Sequence, residues 1–460
     1  SLIINQFAHV YAAFYDADFK ETVKNIESAK SKLAYIEIKA KEKGYPLYLI
    51  IDEYDNFTNV ILSEHGQQMF HDLTHASGFY REYFKQFKGM FDRIFMMGVS
   101  PVTLDDLSSG YNIDWNISVD PRFNAMMGFD ETEVREMFHY YQQNDMLNGD
   151  VEAMIAEMKP WYDNYCFARK SLDDDRVFNC DMTLYYLRWQ VDFHRAPEEM
   201  VDKNIRTDYS KLKMLARIDR DSVQEGDRMS TIEKIAAEGD IFVDLHTSFP
   251  AERITDIDNF RSLLYYYGLL TMCGTRGDLI KMSIPNNCVR EQYFGFLRDY
   301  YQKYSSIDLH YLNVMLTDMA YDGRWKPFFE SVAQAYRENS AVRDAMEGER
   351  NLQGFLKAYL ALASYYLVEP ELEMNYGYCD FFLLPDKKRY PDVKHSYILE
   401  LKYATRTATD AELEVQALEG RNQLLQYSED KIVRCLSEGT TLHRLLLQFR
   451  GWDLVRCEEV

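Results

Sequence analysis

Residues 46–56, PLYLIIDEYDN, run without a polar interruption from Leu47 to Ile51 and close on Asp52 and Glu53. A strand apolar at both parities predicts a parallel sheet covered on both faces, with the acids at its carboxyl end. A second such run, FDRIFMMGVSP at residues 91–101, ends on Gly98-Val99-Ser100-Pro101. Residues 67–88 between them carry a helical pattern, so the order strand, helix, strand predicts a β-α-β unit. Ligands of open parallel sheets gather beyond the carboxyl ends of the strands, where Asp52, Glu53 and Ser100 are expected to meet. Upstream, residues 19–41 read as one long charged helix ended by Gly44-Tyr45-Pro46.

A second constraint lies at residues 376–403, YGYCDFFLLPDKKRYPDVKHSYILELKY. The runs CDFFLL and SYILEL predict two strands joined by a polar connection, each with one carboxylate where an apolar residue is usual. Side chains at i and i+2 share a strand face, so Glu400 and Lys402 project together, and Asp380 joins them if the strands pair. Two carboxylates and an ammonium are costly to bury unless they compensate one another or hold a cation. A cross-strand salt bridge at an exposed sheet end is the plainer alternative.

With 460 residues, 47% of them hydrophobic, the chain has material for two or three cored domains. No apolar run approaches the roughly 18–20 residues of a membrane span, and residues 1–20 lack the basic start and cleavage site of a secretory signal. A cytoplasmic protein with no membrane partner is expected. The seven cysteines are scattered without C-x-x-C spacing, so neither a disulfide framework nor a cysteine zinc site is indicated. The ten histidines show no metal-ligand spacing, and the 35 tyrosines read as packing residues. A formal charge of −22 counts against a general nucleic-acid surface. Nucleic acid remains a candidate partner through a local patch or bound metal, beside a protein partner or a second copy.

Residues 129–334 read as mainly helical. GFDETEVREMFHYY opens with an acid-rich first turn, and FRSLLYYYGLLTM reads as an apolar stripe ended by Gly274. LLTMCG and DLIKMSIPN predict a hairpin turning at residues 275–278. Farther on, EGERNLQGFLKAYLALASYYLV reads as a helix leading into the C-terminal sheet. TDAELEVQALEGRNQLLQYSEDKIVRCL reads as a helix packed on that sheet, and LHRLLLQFRG as a further strand.

Asp52, Glu53 and Ser100 resemble the Walker B acid pair and polar sensor strand of AAA-like P-loop ATPases. Taken in order, LIIDEYDN, FMMGVSPVTL, GFDETEV, WYDNYCF with VFNCDMTLYYL, and GYCDFFLLP with YILELKYA resemble a bacterial family joining an AAA-ATPase-like domain to a C-terminal PD-(D/E)XK nuclease-like domain. Asn164 stands where such sequences more often have glycine, and Cys180 where proline is frequent. The resemblance implies an α/β multidomain chain: an N-terminally incomplete ATPase-like parallel sheet at residues 1–128, a helical lid and connector at 129–334, and a restriction-endonuclease-like domain at 335–460. It implies that Asp52 holds Mg²⁺ and Glu53 orients water in a nucleotide site. No G-x-x-x-x-G-K-[ST] occurs in the chain, so ATP is expected as a cofactor only where an upstream P-loop segment is present, and the chain alone is not expected to turn over ATP. In the C-terminal domain the resemblance makes Asp380 and Glu400 ligands of Mg²⁺ or Mn²⁺ and sets Lys402 beside the attacking water. Glu349 is either an additional helix acid of that site or a solvated helix-start acid, and Gln423 with Tyr427 forms a helix face near it. The expected function is metal-dependent phosphodiester hydrolysis; a catalytically silent module keeping both folds is the alternative.

Overall fold

The computed structural model describes residues 4–6, 8–10, 18–55, 87, 90–103, 115–174, 176–202, 212, 215–216, 225–250, 253, 256–302, 307–338, 348–362, 365–374, 377–387 and 389–460. The chain packs as two compact units, Ser1–Asn116 with His246–Tyr267, and Ile117–Leu245 with Gly268–Val460.

The N-terminal part forms α1 (Phe19–Asn25), α2 (Ala29–Lys43), β1 (Tyr48–Ile51), β2 (Arg93–Met96) and β3 (Val102–Thr103). The single helix expected over 19–41 is instead two. Ser28 adopts an extended backbone and its hydroxyl accepts the Ser31 N–H, which starts α2 afresh. Gly44, left-handed at φ +68, ends α2 as expected. β1 and β2 pair in parallel, Tyr48 with Arg93 through Ile51 with Met96. The strand was expected to be covered on both faces, and the structure corrects this: Tyr48 and Ile50, which share one face, are 65% and 69% exposed. An apolar run at both parities permits cover on each side without supplying it. The helix expected at 67–88 lies outside the described residues except at Phe87, which is helical.

The middle of the chain forms α3 (Glu131–Gln143), α4 (Val151–Tyr162), α5 (Cys180–Phe193), α6 (Glu225–Glu238), β4 (Asp240–Val243), β5 (Phe249–Pro250), α7 (Ile257–Tyr266), β6 (Thr271–Arg276), β7 (Leu279–Ser283), α8 (Asn287–Tyr301), α9 (Leu309–Asp322) and α10 (Lys326–Glu338). Helix α3 starts in a capping box between Asp130 and Glu133, the role of its acid-rich first turn. Val134, Phe138, Met158, Tyr162 and Tyr186 bury the faces of α3, α4 and α5 in one core. The region is not purely helical, because β4, β7 and β6 make a three-stranded antiparallel sheet. Its β6–β7 hairpin turns at Gly277, as expected. The stripe read as ending at Gly274 ends earlier. Gly268 is left-handed at φ +71, α7 stops at Tyr266, and Gly274 lies inside β6.

The C-terminal part forms α11 (Glu349–Leu360), β8 (Tyr366–Met374), β9 (Gly377–Pro385), β10 (His395–Ala404), α12 (Asp410–Ser428), α13 (Lys431–Leu436), β11 (Thr441–Arg450) and β12 (Asp453–Glu459). The five strands make one mixed sheet in the order β12-β11-β10-β9-β8, antiparallel except for β10 and β11. That parallel pair needs a crossover, and α12 supplies it. Ala417, Leu424 and Tyr427 of α12 pack on Phe382, Ile398 and Leu446 of the sheet. Two boundaries differ from expectation. Helix α11 stops at Leu360, because Tyr366-Leu367-Val368 is a better strand former than helix former and opens β8. The helix after Lys402 is two helices, since Asp430 accepts the Ile432 N–H and caps α13.

Candidate active site

Strands β9 and β10 register Tyr397 with Leu383, Ile398 with Phe382 and Leu399 with Phe381. The next residues in that register are Glu400 and Asp380, so the two carboxylates flank one point of the sheet. Glu400 and Lys402 share the parity of Ile398, whose face packs under α12. Lys402 Nζ donates to Glu400 Oε1 at 2.8 Å. The lysine stem runs close under α12 because residue 420 is glycine: a Cβ there would stand 2.7 Å from Leu446 Cδ1 and 3.3 Å from Lys402 Cε.

Asp380 is held by two donors from different elements. Its Oδ2 accepts the Leu401 N–H at 2.7 Å, and its Oδ1 accepts Gln353 Nε2 at 3.0 Å. Glu400 is buried, and its Oε2 has no hydrogen-bond partner among the described residues. Gln423 Oε1 is likewise buried and unpartnered there, while the Gln423 side chain hydrogen-bonds Tyr427. Burial raises both carboxyls above the ordinary range. The Leu401 N–H works against this at Asp380; at Glu400 the Asp380 charge adds to it and the Lys402 ammonium opposes it. The Tyr427 phenol is pushed up to about 12, by burial first and then by the charge of Glu400. Glu349 is solvent-exposed by area, yet surrounding protein raises its carboxyl while the Lys402 charge lowers it. The structure therefore brings Asp380, Glu400 and Lys402 together, with Gln423 and Tyr427 beside them and Glu349 within electrostatic reach. Gln353 was not foreseen. It lies one helical turn beyond Glu349, a spacing that would have placed it on the same helix face.

The donor set suits a small hard cation. Two carboxylates and an amide oxygen are all oxygen ligands, two of those oxygens lack partners, and Mg²⁺ keeps several waters beside one or two carboxylates. Among the described residues no group of three or more His, Cys, Asp or Glu is arranged to hold a metal ion, and Glu349 acts on the pair through its charge.

In the N-terminal unit Asp52 and Glu53 follow β1 and Ser100 follows β2. Asp52 Oδ1 accepts the Glu53 N–H at 2.9 Å, and Glu53 is left-handed at φ +52. Such a backbone costs a non-glycine residue of the order of 1 kcal/mol and concentrates at functional turns. Ser100 is tied to this turn through residues that sequence reading missed. Asp55, buried, accepts the Ser100 N–H at 2.6 Å and the Val99 N–H at 3.2 Å, and the Tyr54 hydroxyl donates to the Ser100 carbonyl at 2.6 Å. A Cβ on Gly98 would stand 2.4 Å from the Tyr54 ring and 2.5 Å from Asp55 Oδ1. Gly98→Ala is therefore expected to open this turn at a cost of about 1–3 kcal/mol. Hydrogen exchange of the β1 and β2 amides measures it; unchanged protection contradicts the close approach.

The C-terminal part thus sets Asp380, Glu400 and Lys402 together on a mixed five-stranded sheet crossed by α12. Residues 347–459 match the family model of the PD-(D/E)XK nuclease superfamily, and residues 2–108 match the model described as a predicted AAA-ATPase. The chain thus joins an N-terminal AAA-ATPase-like domain to a C-terminal PD-(D/E)XK nuclease domain. No curated protein matches the chain. No helix among the described residues is long and apolar enough to cross a membrane.

Proposed function

We propose that the C-terminal domain hydrolyses phosphodiester bonds of nucleic acid with Mg²⁺ or Mn²⁺ held by Asp380 and Glu400, under control of the AAA-ATPase-like domain of a cytoplasmic protein. The observation that carries this reading is Glu400: a buried carboxylate with one oxygen paired to Lys402 and the other without a partner. An unsatisfied buried acceptor costs about 1–3 kcal/mol, and a cation ligand role accounts for tolerating it. When bound, the cation supplies Lewis acidity toward a phosphate oxygen and acidifies a water. Asp380, fixed through both oxygens, presents its remaining lone pairs without reorganisation. Lys402, held in place by Glu400, donates to the attacking water or to charge developing on the phosphate. Glu349 and Gln423 border this space and complete the proposed catalytic group. In the N-terminal domain Asp52, Glu53 and Ser100 are the proposed nucleotide-facing residues, and ATP serves only together with a P-loop.

The charge of −22 favours the second reading, a silent module in which Lys402 and Glu400 form a structural ion pair. Incubating the protein with labelled single- and double-stranded DNA and RNA, with Mg²⁺, Mn²⁺ or a chelator, separates the two. Metal-dependent products support the nuclease; intact substrates in every arm leave the silent module.

A further inference from the structure

Asp380 is oriented from a helix that sequence reading assigned to entry into the sheet. Glu349, Gln353 and Lys357 lie four residues apart along α11 and so share one of its faces. All three bear on Asp380. Gln353 donates to Oδ1 at 3.0 Å, the Glu349 charge raises the carboxyl, and the Lys357 ammonium lowers it. Lys357 is buried, donates to the Ala237 carbonyl in the last turn of α6, and stands 5.8 Å from the centroid of the Phe381 ring. A cation at a helix C-terminus is favoured by the local dipole, so this contact pins α11 against α6 and the sheet. Gln353 is consequently presented on a fixed helix rather than on a mobile loop.

We propose that Gln353 is the positioning residue of the metal site: its amide N–H, with the Leu401 N–H, locks the Asp380 carboxylate in the orientation that receives the cation. This rests on the reading of Asp380 and Glu400 as ligands. Without Gln353 the Oδ1 anchor is gone, and the carboxylate turns about its remaining bond to Leu401. Ordering it again on binding lowers affinity, as losses of partners behind metal ligands do, by roughly 10- to 100-fold.

Calorimetric Mn²⁺ titration of the full chain tests this with no need for turnover. Asp380→Asn is the reference for losing a ligand. Gln353→Leu and Gln353→Met, which keep the volume and remove the donor, should each weaken Mn²⁺ binding by roughly tenfold. Any cleavage they retain should recover at saturating Mn²⁺ with an unchanged KM for nucleic acid. Affinity equal to that of the native chain in both variants, alongside a clear loss in Asp380→Asn, overturns the role of Gln353 and leaves the ligand assignment standing. Loss in the leucine variant alone traces to packing and overturns it as well. If the native chain takes up no Mn²⁺, the ligand assignment falls and the inference falls with it.

Discussion

Asp380→Asn is expected to weaken metal binding and cleavage together, whereas Lys402→Ala is expected to lower cleavage by about 10²–10³-fold and to leave metal affinity unchanged or higher. The two residues sit beside the same carboxylate and do different work. Asp380 brings a negative charge and free lone pairs, so neutralising it would weaken the proposed cation site by at least the roughly 10- to 100-fold seen when a hydrogen-bond partner behind a ligand is lost. A protonated lysine has no lone pair for a metal, and its positive charge beside Glu400 repels the ion. Its removal takes away that repulsion and also a force that keeps the Glu400 carboxyl from rising further. Protons then compete with the metal at Glu400 more strongly near neutrality, so affinity is best compared at pH 8.5, above the raised carboxyls. Mn²⁺ titration beside cleavage of labelled substrates reads both quantities. Equal loss of affinity in the two variants would make Lys402 a structural partner of the carboxylates, and the silent module would become the better reading.

The pairing of β9 with β10 and the shared face of Glu400 and Lys402 were legible because a strand has a period of two and the apolar runs bracketing the acids were unbroken. The β6–β7 hairpin was legible from its turn residues and the start of α3 from Asp130 and Glu133, signals contained within a few residues. What escaped reading depended on distant partners or on competing local signals. Strand β12, DLVRCEE, mixes charges with apolar residues and becomes a strand by pairing with β11 after the left-handed Gly451. The break between α1 and α2 hangs on one serine hydroxyl inside a helical pattern. Asp55 looked like one more acid after Asp52 and Glu53; its role at the Ser100 N–H spans 45 residues of sequence. Gln353 was visible as a turn-neighbour of Glu349, but no local rule says that its amide meets Asp380, 27 residues away. Burial of β1 was overcalled for a related reason, since apolar residues at both parities do not state what covers them.

Replacing Glu233 with glutamine is expected to stabilise the second unit above neutral pH and to leave it unchanged in acid. Glu233 lies in α6, 5% exposed, where its Oε1 accepts the Tyr301 hydroxyl of α8 at 3.1 Å. Burial pushes its carboxyl up to about 7, against a small lowering by that hydrogen bond. In the unfolded chain the same group ionises near its ordinary value of about 4.3. Below that value both states hold the proton and folding carries no penalty. Between there and about 7 the unfolded chain releases the proton and the native one keeps it, so stability falls as pH rises; above 7 the loss is complete and constant. At about 1.4 kcal/mol per pH unit the loss has an upper bound of about 4 kcal/mol. Asp380 and Glu400 are raised by burial in the same sense, so the native chain alone cannot isolate the effect. The difference between native and Glu233→Gln does isolate it, because glutamine keeps the shape and an oxygen for Tyr301. Hydrogen exchange of the α6 and α8 amides at pH 4.5, 6 and 8 gives the local opening free energy. A difference that is near zero at pH 4.5 and grows in favour of glutamine toward pH 8 is the expected result, and a pH-independent difference would mean that Glu233 is already ionised in the folded protein.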